Sequence, residues 1–179
     1  VDTLKKELFE SPARIRECLL LEEEIKELSK NIYKESDMYY LGRGEDLAAA
    51  MEGCLKLKEI SYIHSEAYAG GELKHGPIAL IEQGTVVVTI STNDALKEKM
   101  YSNIKEVVTR GAYTVTFVNE ETADINKSCD CVVKLPGKSS VFSPMYSCAA
   151  LQMLAYFVAK EKGYDIDKPR NLAKSVTVE

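Results

Sequence analysis

The chain has 179 residues, of which 45% are apolar and 28% charged, and its formal net charge is −5. This composition is that of an ordinary globular protein, and the length suffices for one α/β domain with a sizeable core. The negative charge balance argues against nucleic acid or an anionic membrane surface as a partner. No apolar run approaches the twenty or so residues that a membrane helix needs, and no signal-peptide pattern opens the chain.

The first 35 residues are predicted to be helical. Residues 2–9 form a short helical lead, and Ser11-Pro12 then supplies an N-cap and a first-turn proline for a longer helix. The apolar residues of this longer helix recur at helical spacing: Ile15, Cys18, Leu21, Ile25, Leu28 and Ile32. Such a stripe either packs on the domain's own core or binds a partner, and the packing role is favoured.

Apolar and β-branched runs alternate with helical patterns in the rest of the chain. Strands are predicted at 38–41, 85–90, 113–118 and 129–135, and helices at 46–62, 96–108 and 145–159. This alternation predicts an α/β fold in which helices cover both faces of a mostly parallel sheet of four to five strands. The last helix is apolar almost all round, which is typical of a helix that is buried or forms an interface.

Two short motifs are candidates for a ligand site, and a structural interpretation is favoured for both. Gly42-Arg43-Gly44 follows the first strand, but Gly-x-Gly alone is incomplete as a phosphate motif, and Asp46 at the following helix start would repel an anion. Cys129-Asp130-Cys131 lacks a second Cys or His pair at metal-ligand spacing, so alternate residues of a strand are favoured. The odd count of five cysteines fits reduced thiols in a cytoplasmic protein.

The stretch from Glu52 to Pro77 carries both histidines of the chain and a high density of charged side chains. On a helix, Glu52, Lys56 and Glu59 fall at i, i+4 and i+7 and therefore line one face. Two carboxylates around an ammonium can tune each other's proton affinity and move protons on a substrate. Spacing alone favours the alternative, a solvated helix face with surface ion pairs, because charged pairs at this spacing are common.

Two separated motifs carry a family resemblance. The run Leu-Lys-Leu-Lys-Glu-Ile-Ser-Tyr-Ile-His-Ser-Glu-Ala-Tyr at 55–68 is followed at 71–77 by Gly-Glu-Leu-Lys-His-Gly-Pro, and the chain ends with Pro-Arg-Asn-Leu-Ala-Lys-Ser-Val-Thr-Val-Glu. Both motifs resemble the isomerase part of the glucosamine-6-phosphate synthases, also called glutamine–fructose-6-phosphate aminotransferases. The resemblance covers the chain from about residue 38 onward and implies a sugar isomerase (SIS) domain, a three-layer α/β/α fold.

The resemblance also implies the catalytic residues. Glu59 matches the base that moves a proton between C1 and C2 of the sugar, and Lys56 matches a lysine that assists nearby proton transfers. His75 matches the histidine that opens the fructose ring. In the family this histidine acts in the site of the neighbouring subunit. Lys174 matches the lysine that forms a Schiff base with the open-chain ketose, and Glu52 matches an acidic residue that positions the lysine one turn away.

The resemblance implies that the chain's carboxyl-terminal tail folds over the sugar site, whereas position alone would favour a solvated terminus. Ala173 and Ser175 beside the Schiff-base lysine are small, so the backbone there can approach a sugar closely, and Ala173 is predicted to bind substrate. His64 matches no family role and is interpreted as structural. No cofactor and no metal are expected.

The resemblance further implies partners. In the family, two SIS domains follow a glutaminase domain, and this chain resembles the second SIS domain alone, with 1–35 as a helical lead and 36–179 as the domain with its active-site tail. The loop at 90–94 has two hydroxyls but no glycine, unlike loops that hold a sugar phosphate, so the first SIS domain is expected to hold it. The expected ligands are fructose 6-phosphate and glucosamine 6-phosphate, and the expected assembly is a homodimer.

Three functions remain open from the sequence. The leading hypothesis is a catalytic half-site of an aminotransferase, which is inactive as an isolated chain. The alternatives are a sugar-phosphate sensor without chemistry and a purely structural dimerisation module. Joint presence of Glu59, His75 and Lys174 favours the first, because a sensor has no need of a Schiff-base lysine. The chain begins at Val1 rather than Met, so a fragment of a longer protein is expected.

Overall fold

The structure is a computed structural model that describes residues 1–119 and 122–172. Strands β1 to β5 are Asp37–Gly42, His64–Ala69, Val86–Ser91, Tyr113–Val118 and Cys131–Lys134. Helices α1 to α6 are Asp2–Cys18, Glu22–Ile32, Glu45–Ser61, Lys97–Val108, Ala123–Ser128 and Ser143–Glu161. Short 3₁₀ turns lie at Leu19–Leu21, Gly70–His75 and Pro77–Leu80.

Within the described residues, the strands form one five-stranded sheet in the order β2-β1-β3-β4-β5, and each neighbouring pair is parallel. The predicted α/β class and parallel sheet are therefore confirmed. From β1 the chain goes first to β2 on one side and then to β3 on the other. This reversal creates a crevice at the carboxyl ends of β1 and β3, where open α/β sheets commonly bind ligands.

Helices cover both faces of the sheet because successive strand residues point to opposite faces. Met38 and Tyr40 of β1 are buried in a core with α2, α3 and α6. Tyr39 and Leu41 are buried in a second core, formed with α4 and the Gly70–His75 turn. The result is the expected three-layer arrangement, with one sheet between two helical layers.

Most apolar residues of helix α6 are buried within this chain. Its apolar residues pack against α2 and α3, and Gly53 of α3 lies so close to α6 that a Cβ there would stand 2.8 Å from Leu151 Cδ1. The apolar character of α6 is thus explained by packing in one chain and needs no second copy. None of the described helices combines the length and the apolarity that crossing a bilayer requires.

The predicted helix start at Ser11-Pro12 is wrong, because α1 continues through both residues. Proline removes only its own N–H from the helix hydrogen bonds, and the Ser11 hydroxyl donates to the Glu7 carbonyl at 2.9 Å, one turn earlier. The break occurs instead at the Leu19–Leu21 turn. Cys18 before it and Ile25 after it are both fully buried, so the turn allows α1 and α2 each to bury an apolar side.

Strand β2 was not predicted from the sequence. His-Ser-Glu-Ala-Tyr-Ala contains no β-branched residue, and its strand conformation depends on pairing with β1, in a register that sets His64 opposite Asp37. His64 Nδ1 lies 3.0 Å from Asp37 Oδ1, so this histidine joins the starts of two strands. Pairing with β1 thus outweighs the weak strand-forming tendency of this segment.

Candidate functional site

The predicted charged stripe is present on α3. Lys56 Nζ lies 2.7 Å from Glu59 Oε2, and both side chains are largely covered, at 32% and 25% exposure. The hydrogen bond to Glu59 raises the pKa of Lys56 above its ordinary value, burial opposes this, and the charges of Glu59 and Glu52 raise it further. The Lys56 ammonium is therefore held in its protonated form at neutral pH.

Glu52 completes the stripe on the same helix face. Its Oε1 accepts a hydrogen bond from Gln152 Nε2 of α6 at 3.3 Å, and it contacts Lys56 through charge rather than through a direct ion pair. The opposite face of α3 is buried against the sheet and α6 through residues such as Gly53 and Leu57. The helix is thus held firmly while the Lys56 and Glu59 side chains remain partly exposed.

His75 lies elsewhere in the chain. It ends the Gly70–His75 turn after β2, its side chain is 73% exposed, and Nε2 stands 3.9 Å from Glu72 Oε2. Helix α3 runs from the carboxyl edge of the sheet to the amino edge, so Glu59 lies towards the amino edge while His75 follows the carboxyl edge. The six residues of β2 span about 20 Å. In the described residues, no hydrogen bond or ion pair joins His75 to Glu59.

A polar platform supports the segment that carries His75. Lys74 Nζ pairs with Glu106 Oε1 of α4 at 2.8 Å, and Asn103 Nδ2 contacts Glu106 Oε2 at 3.5 Å. Arg43 Nε donates to Asn103 Oδ1 at 2.8 Å. A Cβ on Gly70 would lie 2.6 Å from that same oxygen, so glycine is needed for this close approach. Sequence reasoning missed this platform because its members come from distant parts of the chain and follow no periodic pattern.

The crevice at the carboxyl ends of β1 and β3 is occupied by a side chain of the protein itself. Asp46 is buried at the start of α3, and its Oδ2 accepts hydrogen bonds from the backbone N–H groups of Thr92 at 2.8 Å and Asn93 at 3.2 Å. The Thr92 hydroxyl also donates to Asp46 Oδ1. Backbone N–H groups in such a loop are the donors that usually bind phosphate, and here they donate to the Asp46 carboxylate instead.

The carboxyl-terminal tail is described only to Leu172, so Lys174 and Ala173 lie outside the described residues. The segment before them is attached to the end of α3. The Arg170 backbone N–H donates to the Tyr62 hydroxyl at 2.9 Å, and the Arg170 guanidinium lies 4.0 Å from the centre of the Tyr62 ring. Sequence reasoning missed this contact of Tyr62; the position of Tyr62 at a helix end that lacks glycine was the available signal.

The cysteines form no disulfide in the described structure. Cys131 lies in β5 and Cys129 just before it, where the Thr116 hydroxyl donates to Cys129 Sγ at 3.2 Å. Burial is the main cause that raises the pKa of both thiols, which keeps them protonated. The described residues contain no group of three or more His, Cys, Asp or Glu side chains suited to a metal ion.

Comparisons with known proteins agree with this architecture. The SIS domain family model matches residues 31–160. Over all 179 residues the chain is 51% identical to the glutamine–fructose-6-phosphate aminotransferase (isomerizing) of Clostridium tetani and 52% identical to that of Clostridium acetobutylicum. In both cases the match covers all of this chain but only 29% of the relative, so the chain spans less than a third of their length.

A solved structure gives the same result at the level of the fold. The C-terminal domain of glucosamine-fructose-6-phosphate aminotransferase from Francisella tularensis superposes with a TM-score of 0.84 and 37% sequence identity. The superposition covers 93% of this chain and 47% of that one. The chain therefore belongs to the SIS domain family and is similar over its whole length to the C-terminal part of glutamine–fructose-6-phosphate aminotransferases.

Proposed function

We propose that this chain is the second SIS domain of a glutamine–fructose-6-phosphate aminotransferase and supplies part of its isomerase site. The observation that carries the proposal is the Lys56–Glu59 pair, joined at 2.7 Å and partly open on α3, in a chain 51% identical throughout to such an enzyme. The reaction proposed for the whole enzyme is the conversion of fructose 6-phosphate to glucosamine 6-phosphate.

In this proposal Glu59 is the base for the ketose-to-aldose step. One carboxylate within hydrogen-bond reach of C1 and C2 removes a proton from C1 and returns it to C2. Lys56, protonated at neutral pH, donates a hydrogen bond to the sugar oxygen on which negative charge develops, and Glu52 keeps the lysine in place. An ammonium aimed at developing charge is a common way to lower such a barrier.

Lys174 and His75 complete the proposed site. Lys174 forms the Schiff base with the open-chain ketose, and Ala173 lets the tail backbone approach the sugar. His75 opens the ring. Since His75 and Glu59 lie at opposite edges of one chain's sheet, we assign His75 to the site of a neighbouring subunit, which makes a homodimer part of the proposal. The His75 side chain is 73% exposed, which supports its contact with a neighbouring subunit.

In this proposal, other domains of the enzyme bind the sugar phosphate and release the ammonia. Asp46 already binds the N–H groups of Thr92 and Asn93, so the crevice of this domain does not offer those donors to a phosphate. The first SIS domain then binds the phosphate, the glutaminase domain releases ammonia, and the isolated chain is inactive. The same carboxylate argues against the sensor alternative, because a sensor built from this domain alone would need the phosphate site.

A cytoplasmic location belongs to the same proposal. It is supported by the chemistry of the five cysteines, whose odd number does not suit an oxidising compartment. The thiols with raised pKa values would remain reduced and unreactive at neutral pH.

Glu59→Gln in the intact enzyme tests the proposal. The amide keeps the side-chain shape but cannot accept a carbon-bound proton at neutral pH, so solvent exchange of the C1 and C2 protons should fall by about a hundredfold or more. Substrate binding should remain close to that of the wild type. Glu23→Gln is the matched control, because it also removes an i,i+3 pair with lysine, on α2, away from the charged stripe.

Proton exchange measured by NMR decides the outcome. If Glu59→Gln exchanges C1 and C2 protons at the wild-type rate, Glu59 is not the base and the proposed mechanism is wrong. If Glu23→Gln loses exchange as well, the loss reflects a general effect of removing a helix ion pair.

A further inference from the structure

A contact between α3 and the carboxyl-terminal segment stands out from the rest of the surface. Tyr62 ends α3 with φ 59° and ψ 17°, a left-handed conformation that is uncommon for an aromatic residue. Such backbone strain persists only where surrounding contacts hold it, and it clusters at functional positions. Here those contacts come from the segment 164–172.

Three interactions converge on the Tyr62 side chain. Its hydroxyl accepts the Arg170 N–H at 2.9 Å, and its ring carries the Arg170 guanidinium at 4.0 Å from the centroid. The ring of Tyr164 packs on it at a centroid distance of 4.9 Å and an angle of 53°. One aromatic side chain thus contacts the segment through a hydrogen bond, a cation–π contact and a ring pair.

We propose that Tyr62 is a positioning residue that clasps the segment 164–172 against the end of α3, and that Schiff-base formation by Lys174 depends on this clasp. This inference rests on the proposed function, which gives Lys174 its role. Glu59 precedes Tyr62 by three residues, which is less than one helical turn. Lys174 follows Arg170 by four residues, and such a length of chain spans at most about 14 Å.

The left-handed conformation matters for this role. A helix that ended in a glycine would turn in the same way but would present no ring to Arg170. Tyrosine at this position both ends α3 and provides the surface on which the tail lies, because the left-handed turn directs the chain into β2 while the ring stays beside the tail. Tyr62 therefore both ends α3 and contacts the segment 164–172, and its left-handed backbone is the cost of combining these roles.

Two substitutions separate the parts of the clasp. Tyr62→Phe removes only the acceptor of the Arg170 N–H, and Tyr62→Asn removes the ring while asparagine still tolerates the left-handed conformation. The Arg170 amide should exchange with solvent about fivefold faster in the Phe variant and about twentyfold faster in the Asn variant. Tryptic cleavage after Arg170 should accelerate in the same order.

Tyr156→Phe is the matched control, because Tyr156 is an exposed tyrosine of α6 whose ring packs on Phe157 rather than on the described segment 164–172. It should leave both the Arg170 exchange rate and tryptic cleavage unchanged. If Tyr62→Asn also leaves them unchanged, the clasp does not exist and the inference is overturned.

The intact enzyme tests the consequence for Lys174. Borohydride reduction during turnover with fructose 6-phosphate should label Lys174 in the wild type, less in Tyr62→Phe and least in Tyr62→Asn, by about tenfold. Equal labelling in all three would overturn the positioning role even if the tail is loosened. If the wild type labels elsewhere or not at all, the proposed role of Lys174 fails, whereas the amide exchange still decides whether the clasp exists.

Discussion

Asp46 gives the sharpest prediction for stability. Replacing it by alanine removes the acceptor of two backbone N–H groups, those of Thr92 and Asn93, and of the Thr92 hydroxyl. Thr92 is buried, so its N–H would be left without a partner. A buried donor that loses its partner costs roughly 1 to 3 kcal/mol. Asn93 is partly exposed and regains water, so its loss is smaller.

The net cost also contains an opposing contribution. The variant no longer buries a carboxylate, and burial is the main cause that raises the pKa of Asp46 above 3.8. We therefore expect Asp46→Ala to lower the free energy of unfolding by about 2 kcal/mol. Asp46→Asn keeps one carbonyl acceptor and should lose about half as much. Urea unfolding with linear extrapolation measures both values.

Asp94→Ala is the control for this prediction, since Asp94 lies in the same loop region but is exposed. It should change the free energy of unfolding by less than about 0.5 kcal/mol. If Asp46→Ala is as mild as Asp94→Ala, the carboxylate does not hold the loop, and the argument that this crevice is closed to phosphate fails with it.

The pH dependence has a defined sign. Because the folded state binds the Asp46 proton more tightly than the unfolded state, the contribution of this group to stability is greatest below pH 3.8. It declines as pH rises through the raised pKa. The destabilisation by Asp46→Ala should accordingly be smaller at about pH 7 than at about pH 4. A destabilisation that is larger at pH 7 than at pH 4 would show that the folded-state pKa of Asp46 is lowered.

Three further predictions follow from packing and assembly. Gly53→Ala should lower the free energy of unfolding by about 1 kcal/mol, because crowding against Leu151 outweighs the gain in helix propensity, whereas Lys58→Ala on the exposed side of α3 should be nearly neutral. Chemical denaturation checks both, and a stabilised Gly53→Ala would contradict the close packing of α3 on α6. The isolated chain should not convert fructose 6-phosphate, and measurable turnover would refute this. It should sediment as a dimer or larger assembly at high micromolar concentration, and a monomer would count against sharing of His75 by this domain alone.

The sequence by itself determined the elements whose patterns are local. Alternation of β-branched strands with helices predicted the parallel α/β class, and i, i+4, i+7 spacing placed Glu52, Lys56 and Glu59 on one face of α3. Helical geometry alone fixes that arrangement, so it does not depend on how the rest of the chain folds. The proximity of Lys56 and Glu59 could therefore be expected from their spacing, although their catalytic role stays a prediction.

Only the tertiary structure decided the contacts between distant parts of the chain. Asp46 meets a loop 46 residues later, and Arg43 meets Asn103 across 60 residues. Edge strand β2 likewise depends on its pairing with β1, which no local pattern encodes. These features arise because crossover connections bring strand ends and helix ends together at the sheet edges, where the free energy of burial and hydrogen bonding outweighs local preference.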